Sequence, residues 1–150
     1  MKKSLLIALS LFSLRSLASY DGVLLEKVFH TGYVPVERDF SLYCTIYSNK
    51  VVVEFSKLGL KKTVEFRQDI DSKITELIEQ ASKGDITKRP APTDIGIRKY
   101  TATQVLHNDT TRPVDLGSII DSQSITENHS AAASELKLYI DKVCESVLNK

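Results

Sequence analysis

The N-terminal segment constrains this chain most, because it decides which residues enter the fold and in which redox compartment they fold. The chain begins Met-Lys-Lys-Ser, which is short and positively charged, and Leu5–Leu14 is an almost unbroken apolar run. Small residues follow at Ser16 and Ala18 and fit the narrow pockets that signal peptidase has for the residues before a cut. The pattern predicts a cleaved, bacterial-type signal peptide over residues 1–18, with a cut one residue later as the alternative.

A retained membrane helix is the other interpretation of this run. Its ten residues rise only about 15 Å as a helix, whereas the hydrocarbon core of a bilayer is about 30 Å thick. Arg15 ends the run, and no later stretch of the sequence is long and apolar enough to span a membrane. We therefore expect an exported protein, periplasmic or secreted, with no membrane span after the signal is removed.

The composition of the remaining chain predicts one domain and argues against nucleic-acid binding. Residues 19–150 are enough for a single globular domain and too few for two. Three of the 20 basic residues leave with the signal and none of the 19 acidic ones does, so the net charge becomes −2. A nucleic-acid-binding protein needs a basic excess to neutralise phosphates. The six glycines are dispersed, so the sequence predicts no phosphate-binding loop and no cofactor.

Two cysteines remain, Cys44 and Cys144, and in an oxidising compartment an even pair predicts a disulfide. Cys44 falls on the apolar side of a predicted strand, and Cys144 falls on the apolar stripe of a predicted C-terminal helix. A disulfide between them would join that helix to the sheet. Two buried free thiols are the alternative. The three histidines are widely scattered, so no metal site is predicted.

Hydrophobic alternation with a period of two predicts strands in the first half of the chain. Leu42, Cys44 and Ile46 alternate with polar or aromatic residues from Phe40 onward. Two tight turns are predicted to extend this strand into a three-stranded meander. A turn at Asn49-Lys50 sets Ile46 opposite Val53, and a turn at Gly59-Leu60 sets Glu54 opposite Glu65. Further strands are predicted over 23–30 and 95–106.

Helical spacing of apolar residues predicts two helices, over Asp71–Lys83 and over 127–148. Lys88–Asp94 contains two prolines and is predicted to be a loop. Residues 108–128 are mostly polar and are predicted to be a long loop that hides a short helix or is partly mobile. The predicted fold is α+β: a single domain with an antiparallel sheet of four to five strands and two helices packed on one face.

Two surfaces are predicted to bind a partner. The first is the sheet face opposite the helices, because large aromatic and arginine side chains supply contact area at low entropic cost. Strand propensity alone also places tyrosine on such a face. The second is the stiff proline-containing loop, which would lose little entropy on binding. The residues concerned are Tyr43, Tyr47, Val52 and Arg67 on the sheet face, and Lys88 and Arg89 in the loop.

No catalytic residue can be assigned from sequence motifs. Glu54 and Glu65 would form a carboxylate pair of the kind used in glycoside hydrolysis, but only in the predicted register. His107 lies beside an acid, which is a weak indication of a base. We therefore expect a small exported binding module, of inhibitor or accessory type, that recognises a protein or envelope ligand. The alternatives are a small secreted hydrolase using Glu54 and Glu65 or His107, and a structural envelope component.

Overall fold

A computed structural model describes residues 21–148, so the predicted signal peptide, residues 1–18, lies outside the described part of the chain. The described residues form eight strands and two α-helices. The strands are β1 Val23–His30, β2 Phe40–Tyr47, β3 Lys50–Lys57, β4 Leu60–Arg67, β5 Ile86–Pro90, β6 Ile97–Val105, β7 Thr111–Ile120 and β8 Ser124–Asn128. The helices are α1 Lys73–Ala81, between β4 and β5, and α2 Ala131–Glu145, after β8.

All eight strands belong to one antiparallel sheet in the order β4-β3-β2-β1-β6-β7-β8-β5. One half is a meander of β1 to β4, and the other half contains the meander of β6 to β8. The two halves meet where β1 pairs with β6, from Leu25 opposite Ala102 to His30 opposite Ile97. Strands β4 and β5 are therefore the two edges of the sheet.

The hydrophobic core lies between the sheet and the two helices, which also contact each other. In α1 the predicted stripe is buried, because residues three and four positions apart share one helix face. In α2 the Ser130 hydroxyl caps the helix by accepting a hydrogen bond from the Ala133 N–H at 3.1 Å. The buried helix residues are Ile74, Leu77, Ile78 and Ala81 in α1, and Ala132, Ala133, Leu136, Ile140, Val143 and Cys144 in α2.

The predicted disulfide between Cys44 and Cys144 is present, and both cysteines are buried. Their Cα atoms are 5.9 Å apart, within the range that a disulfide spans. Cys44 lies in β2 on the face that the helices cover, and Cys144 lies in the last turn of α2. The bond therefore joins the C-terminal helix to the first half of the sheet, as the sequence predicted.

The predicted number of strands, four to five, is wrong, although the α+β class is compatible with the structure. Residues 108–128, predicted to be a loop, contain β7 and β8. A register shift where β7 passes Tyr100 and Thr101 breaks the period-two alternation that indicates a strand in a sequence. Residues 88–94, also predicted to be a loop, begin inside β5. This strand is exposed along its whole length and ends at Pro90, as the edge of a sheet allows.

The predicted registers of the first two hairpins are each wrong by two residues. The first turn is Ser48-Asn49, so Ile46 faces Val51 and not Val53. The second turn is Leu58-Gly59, whose φ angles of 55° and 75° are both positive, as a type I′ turn requires. A shift of two residues keeps every side chain on its predicted face. It also sets Glu54 opposite Thr63, so the like charges of Glu54 and Glu65 are not directly opposite each other as the predicted register had them.

Candidate binding groove

A groove of about 500 Å³ lies beside α2, above the half of the sheet that contains β5 to β8. Its floor includes the nearly buried side chains of Tyr100 and Ile125 and the half-buried side chain of Ile119. One wall is formed by Leu138, an α2 residue outside the core stripe whose side chain is 71% exposed. The complete lining is Arg89, Arg98, Tyr100, Gly117, Ser118, Ile119, Ile125, Thr126, Glu127, Ser134, Lys137, Leu138 and Asp141.

Gly117 keeps the centre of the groove floor free of side-chain atoms. Its φ angle is +142°, a backbone conformation that residues with a Cβ atom rarely adopt. It lies at the irregularity in the β6–β7 pairing, opposite Tyr100. The space above Gly117 is bordered by the side chain of Lys137, whose Nζ would lie 3.5 Å from a Cβ atom at this position. The lysine amine therefore lies directly over the floor of the groove.

Basic side chains outnumber acidic ones around the groove. Arg89, Arg98 and Lys137 line it together with Glu127 and Asp141. Arg89 lies 3.8 Å from Glu127, but within residues 21–148 no ion pair within 4.0 Å includes Arg98 or Lys137. The Arg98 guanidinium instead lies 5.6 Å from the ring centroid of Phe29. Two cations are thus free to meet an anionic group in the groove.

A buried lysine in the centre of the sheet holds α2 in place beside this groove. The Lys27 side chain is 6% exposed, and its Nζ donates hydrogen bonds to Asp141 at 2.6 Å and Glu145 at 2.7 Å. Asp141 also accepts a hydrogen bond from the Tyr100 hydroxyl at 2.8 Å. Burial, and then the bond to the Asp141 carboxylate, raise the pKa of Tyr100 above its usual range. Lys27 is shared between Asp141 and Glu145, so these three groups together keep one negative charge beside Arg98 and Lys137.

A second cavity of about 340 Å³ adjoins the groove under the C-terminal half of α2. The two cavities share Arg98, Tyr100 and Asp141 in their linings. The second also includes the apolar side chains of Phe29, Phe40, Leu42 and Leu148. Arg98 therefore lies where two partly apolar cavities meet.

Four of the predicted binding residues share the open face of the sheet, as the sequence indicated. Tyr43, in the centre of β2, is 48% exposed. The Lys50 ammonium lies 5.1 Å from the ring centroid of Tyr47. Val52 is half-buried and Arg67 is exposed at the end of β4, opposite Lys50. The residues are placed as predicted, and partner binding by this face stays a prediction.

Lys88 and Arg89 do not lie together on a loop as predicted. They are neighbours in β5, so their side chains point to opposite faces of the sheet. Arg89 is opposite Ile125 in the neighbouring strand and lines the groove, whereas Lys88 is opposite Thr126. Of the six predicted binding residues, Arg89 is the one that contributes to the groove lining. Arg67 lies in β4, at the opposite edge of the sheet from Arg89.

The structure does not bring the candidate catalytic groups together in the predicted way. Glu54 is opposite Thr63, whereas Glu65 is opposite Val52 and lies 3.5 Å from the Lys50 amine. A cavity of about 110 Å³ beside Glu54 includes neither Glu65 nor His107 in its lining. His107 begins a short 3₁₀ helix, His107–Asp109, after β6. The hydrolase alternative stays a prediction, without the register on which the carboxylate pair depended.

Of the residues that line the groove, the sequence identified only Arg89 as a binding residue. It missed Tyr100, Arg98, Lys137 and Leu138, among others. Arg98 and Lys137 lie far apart in the sequence, in different secondary-structure elements, and carry no local motif. Two signals were available. One was Gly117 between the apolar pairs of residues 114–120, since glycine inside a strand often marks a bulge or a close approach. The other was Leu138, an apolar residue on the otherwise polar side of a predicted helix.

Within residues 21–148, neither helix is long and apolar enough to cross a membrane. The same residues contain no cluster of three or more His, Cys, Asp or Glu side chains suited to hold a metal ion. No protein-family model, curated protein or solved structure matches this chain.

Proposed function

We propose that this protein is an exported, disulfide-stapled binding module whose groove holds a ligand that combines an apolar chain with an anionic head group. The observation that carries the proposal is the placement of two cations, Arg98 and Lys137, over a partly apolar floor; among residues 21–148 neither forms an ion pair within 4.0 Å. An envelope ligand of this kind matches both parts of the site. The module is of the accessory type and acts by holding this ligand.

The size and lining of the groove support a ligand of this class. A volume of about 500 Å³ lies in the range typical of small-molecule sites. Such sites are mostly apolar and carry a few polar groups that fix the orientation of the ligand. Tyr100, Ile119, Ile125 and Leu138 would contact the apolar chain. Arg98 would donate hydrogen bonds to the anionic head, and a charge-assisted pair of this type is among the stronger hydrogen bonds in proteins.

Export is the second part of the proposal and is supported by the N-terminal sequence. The charged start, the apolar run and the small residues before the predicted cut have the order of a signal peptide. The Cys44–Cys144 disulfide is consistent with an oxidising compartment. Mass measurement of the protein purified from its native location should give a chain that begins at Ser19 or Tyr20. A chain that still begins at Met1 in the purified protein would contradict export by this route.

Calorimetric titration with dodecanoate, kept below its micelle concentration, tests the ligand class. We expect dodecanoate to bind, and dodecanol and acetate to bind at least about tenfold more weakly, because each lacks one half of the recognised chemistry. Removal of a hydrogen bond to a charged group costs about 1.5–3 kcal/mol, or roughly tenfold or more in affinity. The variants Arg98→Gln and Lys137→Gln should each show a loss of this size.

The matched control is Lys88→Gln, which removes an exposed cation one residue from Arg89 but on the other face of the sheet. This variant should bind dodecanoate like the wild type. Equal affinity for dodecanoate and dodecanol would contradict a role for the cations. A loss of binding in a Tyr43→Ala/Tyr47→Ala variant, with Arg98→Gln unaffected, would move the site to the open face and refute the groove.

A further inference from the structure

Among residues 21–148, no strand pairs with the outer side of β4, which is therefore an edge of the sheet. It pairs with β3 over its full length, from Lys57 opposite Leu60 to Lys50 opposite Arg67, without a register shift. It contains no proline, and most of its residues are exposed. An edge strand of this kind presents unpaired backbone N–H and C=O groups to any strand that can lie beside it.

The turn before β4 determines which backbone groups point outward. Lys57 and Leu60 flank the two-residue turn, so they form a hydrogen-bonded pair that closes the hairpin. Hydrogen-bonded and non-hydrogen-bonded pairs alternate along an antiparallel ladder. The N–H and C=O groups of every second residue from Lys61 to Arg67 are therefore directed away from β3. Any strand added to this edge must form its hydrogen bonds with residues of this set.

A second copy of β4 can pair with the first around a twofold axis in only a few registers, and charge distinguishes them. A register centred on Lys61 sets this lysine opposite itself, and one centred on Glu65 does the same for the glutamate. A register centred on Lys62 brings the two Lys62 side chains together, and one centred on Val64 sets Lys61 opposite Arg67. These registers all place like charges opposite each other, which is unfavourable.

The register centred on Thr63 is free of this repulsion. It sets Lys61 of each copy opposite Glu65 of the other, so two Lys–Glu pairs flank a central Thr63–Thr63 pair. Opposite charges and Thr–Thr pairs across strands are both favourable. Lysine on an edge strand commonly blocks pairing, but in this register each Lys61 meets a carboxylate that is itself more than half exposed.

The same register also brings apolar residues together on the helix-covered side of the sheet. Leu60 of one copy lies opposite Phe66 of the other. Leu60 is 77% exposed in the single chain, and Phe66 is only partly buried. Burial of this exposed leucine against an aromatic ring would add apolar stabilisation to the backbone hydrogen bonds.

We propose that the protein forms a homodimer in which two copies of β4 pair antiparallel around Thr63 and join the two sheets edge to edge. The outward-facing groups of Lys61, Thr63 and Glu65 supply six backbone hydrogen bonds across the axis, two for each hydrogen-bonded pair. The groove lies towards the opposite edge, at β5, so both grooves stay open in the dimer. The dimer is independent of the ligand proposed for the groove.

Charge reversal tests this pairing, with sedimentation equilibrium at low salt as the measurement. The wild type is expected to have the mass of a dimer. Lys61→Glu and Glu65→Lys should each be monomeric, because each creates like-charge pairs, and the double swap Lys61→Glu/Glu65→Lys should restore the dimer. Lys62→Glu is the control, because it changes the charge equally but faces Val64 in this register. It should remain dimeric.

A cross-link tests the register itself. Two Thr63→Cys chains would have Cα atoms about 5.5 Å apart across the axis, within the span of a disulfide. Two Glu65→Cys chains would be about 14 Å apart and should not cross-link. A wild type that is monomeric up to about 1 mM would overturn the dimer. A dimer that survives both single charge reversals, or cross-links better through Glu65→Cys, would overturn the β4 pairing.

Discussion

Removal of the disulfide should cause a large loss of stability, and the structure supplies the magnitude. Cys44 and Cys144 are 100 residues apart, so the bond closes a loop that includes most of the folded chain. In the chain-entropy model, closing a loop of this length stabilises the fold by about 4.7 kcal/mol at 25 °C. Domains of this size are stable by only about 5–15 kcal/mol in total. The double variant Cys44→Ala/Cys144→Ala should therefore lose between about a third and nearly all of the free energy of unfolding.

Urea unfolding followed by circular dichroism measures this loss. With a slope near 2 kcal/mol/M, the unfolding midpoint should fall by roughly 2 M between the oxidised wild type and the double variant. The single variant Cys44→Ala is the control for the loss of one buried sulfur, and it should fall by nearly the same amount because it also breaks the bond. A midpoint within about 0.5 M of the wild type would refute the reasoning.

Two further predictions concern the buried polar cluster beside the groove. Asp141→Asn/Glu145→Gln leaves the ammonium of Lys27 buried without an acidic partner and should cost about 3–5 kcal/mol in urea unfolding, whereas Lys27→Met should cost far less. The raised pKa of Tyr100 means that the folded state holds the phenol proton more tightly than the unfolded chain. This contribution to stability is complete below about pH 10 and is lost as the pH rises further towards the folded-state pKa. The free energy of unfolding should therefore fall above about pH 10, and the fall should be smaller in Tyr100→Phe; it should persist in part because burial also raises the pKa of Tyr139. Equal alkaline losses in the two proteins would contradict this explanation.

The first half of the sheet could be predicted because its sequence obeys simple periodic rules. The strand from Phe40 to Tyr47 buries every second residue, and its neighbour β3 continues the same face. The helical stripe around Leu77 and the burial of both cysteines follow from the same reasoning. The registers could not be predicted, because they depend on which two residues turn, and Leu58 adopts a positive φ that its side chain does not favour.

The second half of the sheet could not be predicted because it departs from those rules. In β7, the irregularity beside Gly117 breaks the alternation, and β5 buries none of its residues. The groove lies on this half, so an error in the strand count also concealed the site. Arg98 and Lys137 come together only when β6 and α2 are placed, since no local pattern connects them. Lys27 was missed for the same reason, because its partners are more than 100 residues away.

Amide chemical-shift mapping with dodecanoate tests the central claim most directly, because it locates the ligand as well as detecting it. The groove predicts shifts that saturate together at Arg98, Gly117 and Lys137, and dodecanol at the same concentration should give much smaller shifts at these residues. Shifts confined to the strand that contains Tyr43 and Tyr47, or no shifts at all, would contradict a ligand site beside α2.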